Sequence, residues 1–66
     1  MHVTVNGRPR EVAAGTTLQV LVSGETGGGR GGAVALDGDV VPRSQWSGTT
    51  LRDGSVVEIV TAVQGG

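Results

Sequence analysis

Val56-Val57-Glu58-Ile59-Val60-Thr61-Ala62-Val63-Gln64-Gly65-Gly66 closes the chain, and its reading decides the rest. The first five residues carry a strand signal: Val57 and Ile59 fall on one face, with Val56, Glu58 and Val60 on the other. A glycine pair follows a few residues later. Glycine has no Cβ and gains little from ordering, so Gly65 and Gly66 are expected to form a mobile tail on a body spanning 1–64. Such a tail threads a channel too narrow for any side chain, and its tip is an α-carboxylate that another enzyme can activate. The competing account is incidental. The chain holds 13 glycines in 66 residues, and trimming or cloning also leaves terminal glycines.

Working outward, the other segments must supply a body for this strand. Val3 and Val5 alternate with His2 and Thr4, the period of a half-buried strand. Asn6-Gly7 is the strongest short hairpin signal, because a type I′ turn needs positive φ at both central residues. The return strand is expected over 8–13, at or near a sheet edge because Pro9 cannot donate to a ladder. A strict two-residue turn sets Arg8 opposite Val5 and Arg10 opposite Val3, on the valines' core face. A bulge, a longer loop or arginine stems reaching past the sheet end is therefore expected, and the register stays open.

Thr16 or Thr17 can cap a short helix carrying Leu18, Leu21 and Val22 at helical spacing, with Ser23-Gly24 ending it. The stretch 24–32 has six glycines in nine residues. It neither follows a strand nor ends in the lysine and hydroxyl of a P-loop, so it reads as a flexible connector instead of a phosphate cradle. Val34 and Leu36 share one strand face, Asp37-Gly38-Asp39 is turn chemistry, and Pro42 holds Val40-Val41 extended. One helical or 3₁₀ turn is expected over 43–46. Trp46 is expected to lie partly in the core with its indole N–H on a carbonyl or water; a recognition role is the alternative. Asp53-Gly54 turns the chain into the last strand. The expected core is Val3, Val5, Val12, Leu18, Leu21, Val34, Leu36, Leu51, Val57 and Ile59. The arrangement is α+β, one mixed sheet of four or five strands with a short helix on one face. Val56, Glu58 and Val60, with Val63 beyond them, make an apolar outer face that is either scattered surface valine or a partner-docking patch.

Composition excludes several functions. Sixty-six residues make one small domain, which buries only about 60% of its unfolded surface. The chain has no cysteine, hence no disulfide and no cysteine-based zinc site, and His2 with scattered carboxylates shows no ligand spacing. A net charge of −1, five dispersed arginines and a single aromatic residue give no nucleic-acid footprint. Without lysine, the chain cannot build polymers on its own side chains; only its α-amino group could accept a partner. Strand-like alternation from Met1 onward leaves no room for a secretory leader, and no apolar run approaches the length of a membrane span. A cytoplasmic location is expected.

Taken together, these residues resemble the ThiS family, sulfur carriers of thiamine biosynthesis with the ubiquitin-like β-grasp fold. The resemblance runs through Val3-Thr4-Val5-Asn6-Gly7, Ala14-Gly15-Thr16-Thr17-Leu18, Val34-Ala35-Leu36, Val40-Val41-Pro42-Arg43-Ser44-Gln45-Trp46, Leu51, Asp53-Gly54, Val57-Glu58-Ile59-Val60 and Ala62-Val63-Gln64-Gly65-Gly66. The Val-Pro-Arg-x-x-Trp segment joined to a terminal Gly-Gly is its most specific part. Two departures stand out: the glycine-rich stretch 24–32 replaces an ordinary helix end, and Ser55 stands where an acidic residue is common.

The resemblance implies a carrier and not an enzyme. A ThiF-like adenylating enzyme would use ATP to adenylate the Gly66 carboxylate. Sulfur from cysteine, delivered by a desulfurase or sulfurtransferase, would displace AMP and leave a thiocarboxylate. A ThiG-like thiazole synthase would take that sulfur into the thiazole of thiamine. Gln64 and Gly65 would thread into the partners' active sites, and the chain would hold no cofactor. Three rivals remain at this point: a carrier serving molybdopterin, cysteine or a natural product, a ubiquitin-like protein modifier, and a β-grasp interaction module with incidental glycines.

Overall fold

A computed structural model describes residues 1–26 and 32–60. The chain runs β1 (His2–Val5), β2 (Arg8–Glu11), α1 (Leu18–Thr26), β3 (Ala33–Leu36), β4 (Asp39–Val40), a 3₁₀ helix (Arg43–Gly48) and β5 (Val56–Val60). The strands form one five-stranded sheet in the order β2-β1-β5-β3-β4. The last strand is therefore the middle one. It pairs parallel with β1 and antiparallel with β3.

Both hairpins use the turn that their sequence chemistry favours. Asn6 and Gly7 have φ of 51° and 82°, and Asp37 and Gly38 have 51° and 90°. Positive φ at both central residues is the type I′ geometry whose twist matches the flanking strands. The first hairpin keeps the strict register, Val3 opposite Arg10 and Val5 opposite Arg8, with no bulge and no longer loop. Of the three arrangements expected, the bulge and the longer loop are absent, and the arginine side chains accommodate the strict register. β2 is an edge strand, exposed at every residue. Its arginines cover the border of the core face, and Arg10 Nη2 donates to Glu25 Oε1 of α1 at 3.2 Å. That pair is exposed and contributes little; its effect is to place polar heads in water where the helix cover ends. β2 also stops at Glu11, two residues short of the expected end.

Thr17 caps α1: its Oγ1 accepts from the N–H of Val20 at 3.3 Å. The helix continues through Gly24 to Thr26, beyond the expected stop at Ser23-Gly24. Glycine weakens a helix interior by about 1 kcal/mol without forbidding it, and Glu25's contact with Arg10 favours the extra turn. The helix start is stitched to the loop before β5. Leu18 N–H donates to the Thr49 carbonyl at 2.8 Å, and Leu51 N–H to the Thr16 carbonyl at 2.9 Å.

The core between α1, the 3₁₀ helix and the sheet consists of Val3, Val5, Leu18, Leu21, Val22, Val34, Trp46, Leu51, Val57 and Ile59. Val22 and Trp46 join the expected set, while Val12 and Leu36 are only partly buried and pack against it. Trp46 lies wholly inside, and its Nε1–H donates to the Val41 carbonyl at 2.8 Å. Ser55 is the one buried polar residue among the described residues; its Oγ accepts from the Arg52 N–H at 2.9 Å and closes the turn into β5. That is a role a short hydroxyl fills without a charge. No helix among the described residues is long and apolar enough to cross a membrane.

Candidate functional site

β5 reads buried at Val57 and Ile59 and exposed at Val56, Glu58 and Val60, as its alternation predicts. The exposed trio lies on the sheet face opposite α1. Register brings neighbours to it that the sequence reading did not assign. Ala33 lies beside Val60, Ala35 beside Glu58, and Val40 beside Ala35. On the other side Thr4 lies beside Val56 and Pro9 beside Thr4. Val40, Val56 and Val60 are 72%, 43% and 65% exposed. The result is a face of small and branched apolar groups around the Glu58 carboxylate. Ala33 and Ala35 were legible in principle, since they alternate with Val34 and Leu36. Val40 was not, because its facing depends on the β3–β4 pairing.

Both ends of β5 are held from its two flanks by the turn residues. At its start, the Val56 N–H donates to Asp37 Oδ1 at 2.9 Å and the Asp37 N–H to the Val56 carbonyl at 2.7 Å. Near its end, the Ile59 N–H donates to Asn6 Oδ1 at 2.8 Å, and Asn6 Nδ2 donates to the Ile59 carbonyl at 3.2 Å. The sequence showed Asn6 and Asp37 as turn formers only. At the far end of the sheet Asp53 plays a similar part, accepting the His2 N–H at 2.8 Å.

Chain order leads from Val60 to Gly66 in six residues. Val63, Gln64, Gly65 and Gly66, like residues 27–31 of the glycine-rich stretch, lie outside the described residues. Among those described, no three of His, Cys, Asp and Glu come together in a way that could hold a metal ion.

One sheet with a central, parallel-paired last strand, and a helix crossing a single face, defines a ubiquitin-like β-grasp protein. The crystal structure of the thiamine biosynthesis protein ThiS from Geobacter metallireducens superposes with a TM-score of 0.80 at 33% identity, over the whole of both chains. A solution structure of a thiamine biosynthesis protein from the same organism gives 0.76 at 32% identity, covering all of this chain and 88% of that one. The sulfur carrier protein ThiS of Escherichia coli (strain K12) is 29% identical over 66 residues, all of both chains. The ThiS family model matches residues 3–66. The chain belongs to the ThiS family, the sulfur carriers of thiamine biosynthesis.

Proposed function

We propose that Gly66 is the sulfur-bearing residue and that the folded body is its handle. The observation carrying this is the family match through residue 66, on a fold whose central strand ends at Val60, six residues before Gly66 in the sequence. A carboxylate is a poor acylating group because oxide is a very poor leaving group. Transfer of adenylate from ATP converts it to an acyl phosphate, with pyrophosphate released. Sulfur at the sulfide level then attacks the carbonyl carbon, AMP departs, and a thiocarboxylate remains. That group is anionic and nucleophilic at neutral pH, and it supplies the sulfur nucleophile that a cysteine-free chain lacks.

Each step is assigned to a partner. A ThiF-like enzyme binds the ATP, a cysteine desulfurase or sulfurtransferase supplies the sulfur as a persulfide that a thiol reductant brings to the sulfide level, and a ThiG-like thiazole synthase accepts it. The carrier itself holds no cofactor and acts as a co-substrate, not a catalyst. Its contribution is to bring the tail within reaction distance. Use of ATP by the partner fits a cytoplasmic location. The test is intact mass after incubation with ATP, the activating enzyme and a sulfur donor. The reading requires a gain equal to exchange of one oxygen for one sulfur, confined to the C-terminal peptide. High-mass conjugates without that exchange would mark a protein modifier instead.

Docking is assigned to the face around Glu58. Val60→Asp places a second carboxylate beside Glu58 on an exposed site, so the melting temperature should not move. The KM for the carrier in adenylation should rise about tenfold or more, as expected for charge placed in an apolar contact. An unchanged KM would remove this face from the interface.

A further inference from the structure

We infer that Asn6 is a positioning residue for the C-terminal tail, acting through the backbone of Ile59. This rests on the assignment of Gly66 as the reactive residue. The side chain does what a backbone would do if β1 continued. The β1 strand ends at Val5, where the chain turns into Asn6-Gly7. The last backbone bond of the parallel pair runs from the Asn6 N–H to the Val57 carbonyl, at 2.9 Å. Two residues further along β5, the Asn6 amide takes over with both its groups. Oδ1 accepts the Ile59 N–H at 2.8 Å, and Nδ2 donates to the Ile59 carbonyl at 3.2 Å.

A carboxamide is the short side chain that offers one donor and one acceptor in the spacing of a peptide unit. Aspartate lacks the donor, serine is too short to span both groups, and glutamine does not favour positive φ. The turn alone does not require this contact: aspartate fills the same turn position at residue 37, with the same φ of 51°. Val60 is the last strand residue and follows Ile59 directly. Fixing both polar groups of Ile59 from the β1 side, with Val60 paired to Ala33 on the β3 side, therefore sets the position of the last strand residue from which the tail departs. Asp37 holds Val56 at the opposite end of the same strand and gives a matched control.

The experiment compares wild type, Asn6→Gly and Asp37→Gly in ATP–pyrophosphate exchange with the ThiF-type activating enzyme, at a temperature where all three are folded by circular dichroism. Glycine keeps the positive φ of either turn without strain and removes only the side chain. For Asn6→Gly the expected result is a kcat lower by about tenfold with the KM for the carrier unchanged, the signature of a docked but misdirected tail. Amide exchange at Ile59 should accelerate in that variant alone. Asp37→Gly should keep the wild-type kcat. Equal kcat in the two variants overturns the inference while leaving Gly66 as the reactive residue. If wild type shows no exchange, the assignment of Gly66 fails, and the inference with it. Should Asn6→Gly not fold, Asn6→Asp carries the same test, because it keeps the turn and the acceptor but sets a carboxylate against the Ile59 carbonyl.

Discussion

Deletion of Gly66, or its extension by a C-terminal tag, is expected to abolish ATP-dependent exchange and thiocarboxylate formation, with the melting temperature unchanged. Among the described residues the buried core runs from Val3 to Ile59, and glycine at position 66 has no side chain to contribute to it. In a tagged chain the Gly66 carbonyl becomes an amide, which has no anionic oxygen to attack the α-phosphate of ATP. In the truncated chain a carboxylate survives on Gly65 but stops one residue short, about 3.5 Å from its place. Misplacement by a single ångström already costs orders of magnitude in rate. Gly65→Val should fail for a different reason, because its branched Cβ must enter a channel shaped for a bare backbone while stability hardly moves. Retained exchange in the tagged protein would overturn the assignment of Gly66. Undiminished adenylation of Gly65→Val would show that the channel does not select for glycine.

The elements that were legible in the sequence are those fixed by near neighbours. Asn6-Gly7 announces a turn, Pro9 an edge, and the alternation of Val56 to Val60 separates a buried face from an open one. In each case the physics acts within a few residues. What escaped depends on pairs far apart in the chain. Asn6 reaches Ile59 across 53 positions, and nothing in the hairpin alone signals that its side chain will extend a parallel ladder. Val40 joins the open face around Glu58 only because β4 pairs with β3, which pairs with β5. The hairpin register stayed open because a strict turn sets Arg8 and Arg10 on the same side as Val5 and Val3. It is resolved by the helix, whose cover ends at Glu25 and leaves room for arginine heads at the border. Gly24 looked like a helix end on propensity, but a glycine costs a helix interior only about 1 kcal/mol and does not forbid another turn.

Trp46→Ala is expected to be the most damaging substitution in the body of the protein. The indole is 3% exposed and sits among the ten residues of the core. Its N–H donates to the Val41 carbonyl at 2.8 Å, and the Arg43 guanidinium lies 5.8 Å from the ring centroid. Truncation removes the largest side chain of a small core, opens a cavity, and leaves the Val41 carbonyl without its donor. Losses of this kind run to about 3–5 kcal/mol, against about 5–15 kcal/mol for the whole stability of a domain. At about 4–8 °C per kcal/mol for a chain this short, the melting temperature should fall by more than about 12 °C, followed by circular dichroism because the chain's only tryptophan is gone. Trp46→Phe separates the contributions: it keeps most of the ring volume but not the N–H, so it should cost only the bond and the orphaned carbonyl, about 1–3 kcal/mol. Loss of adenylation in Trp46→Ala at low temperature, with stability intact, would instead make the ring a recognition residue. Its burial argues against that, because a side chain with almost no surface has nothing to offer a partner. An unaltered melting temperature would mean that the 3₁₀ helix is not anchored through this ring.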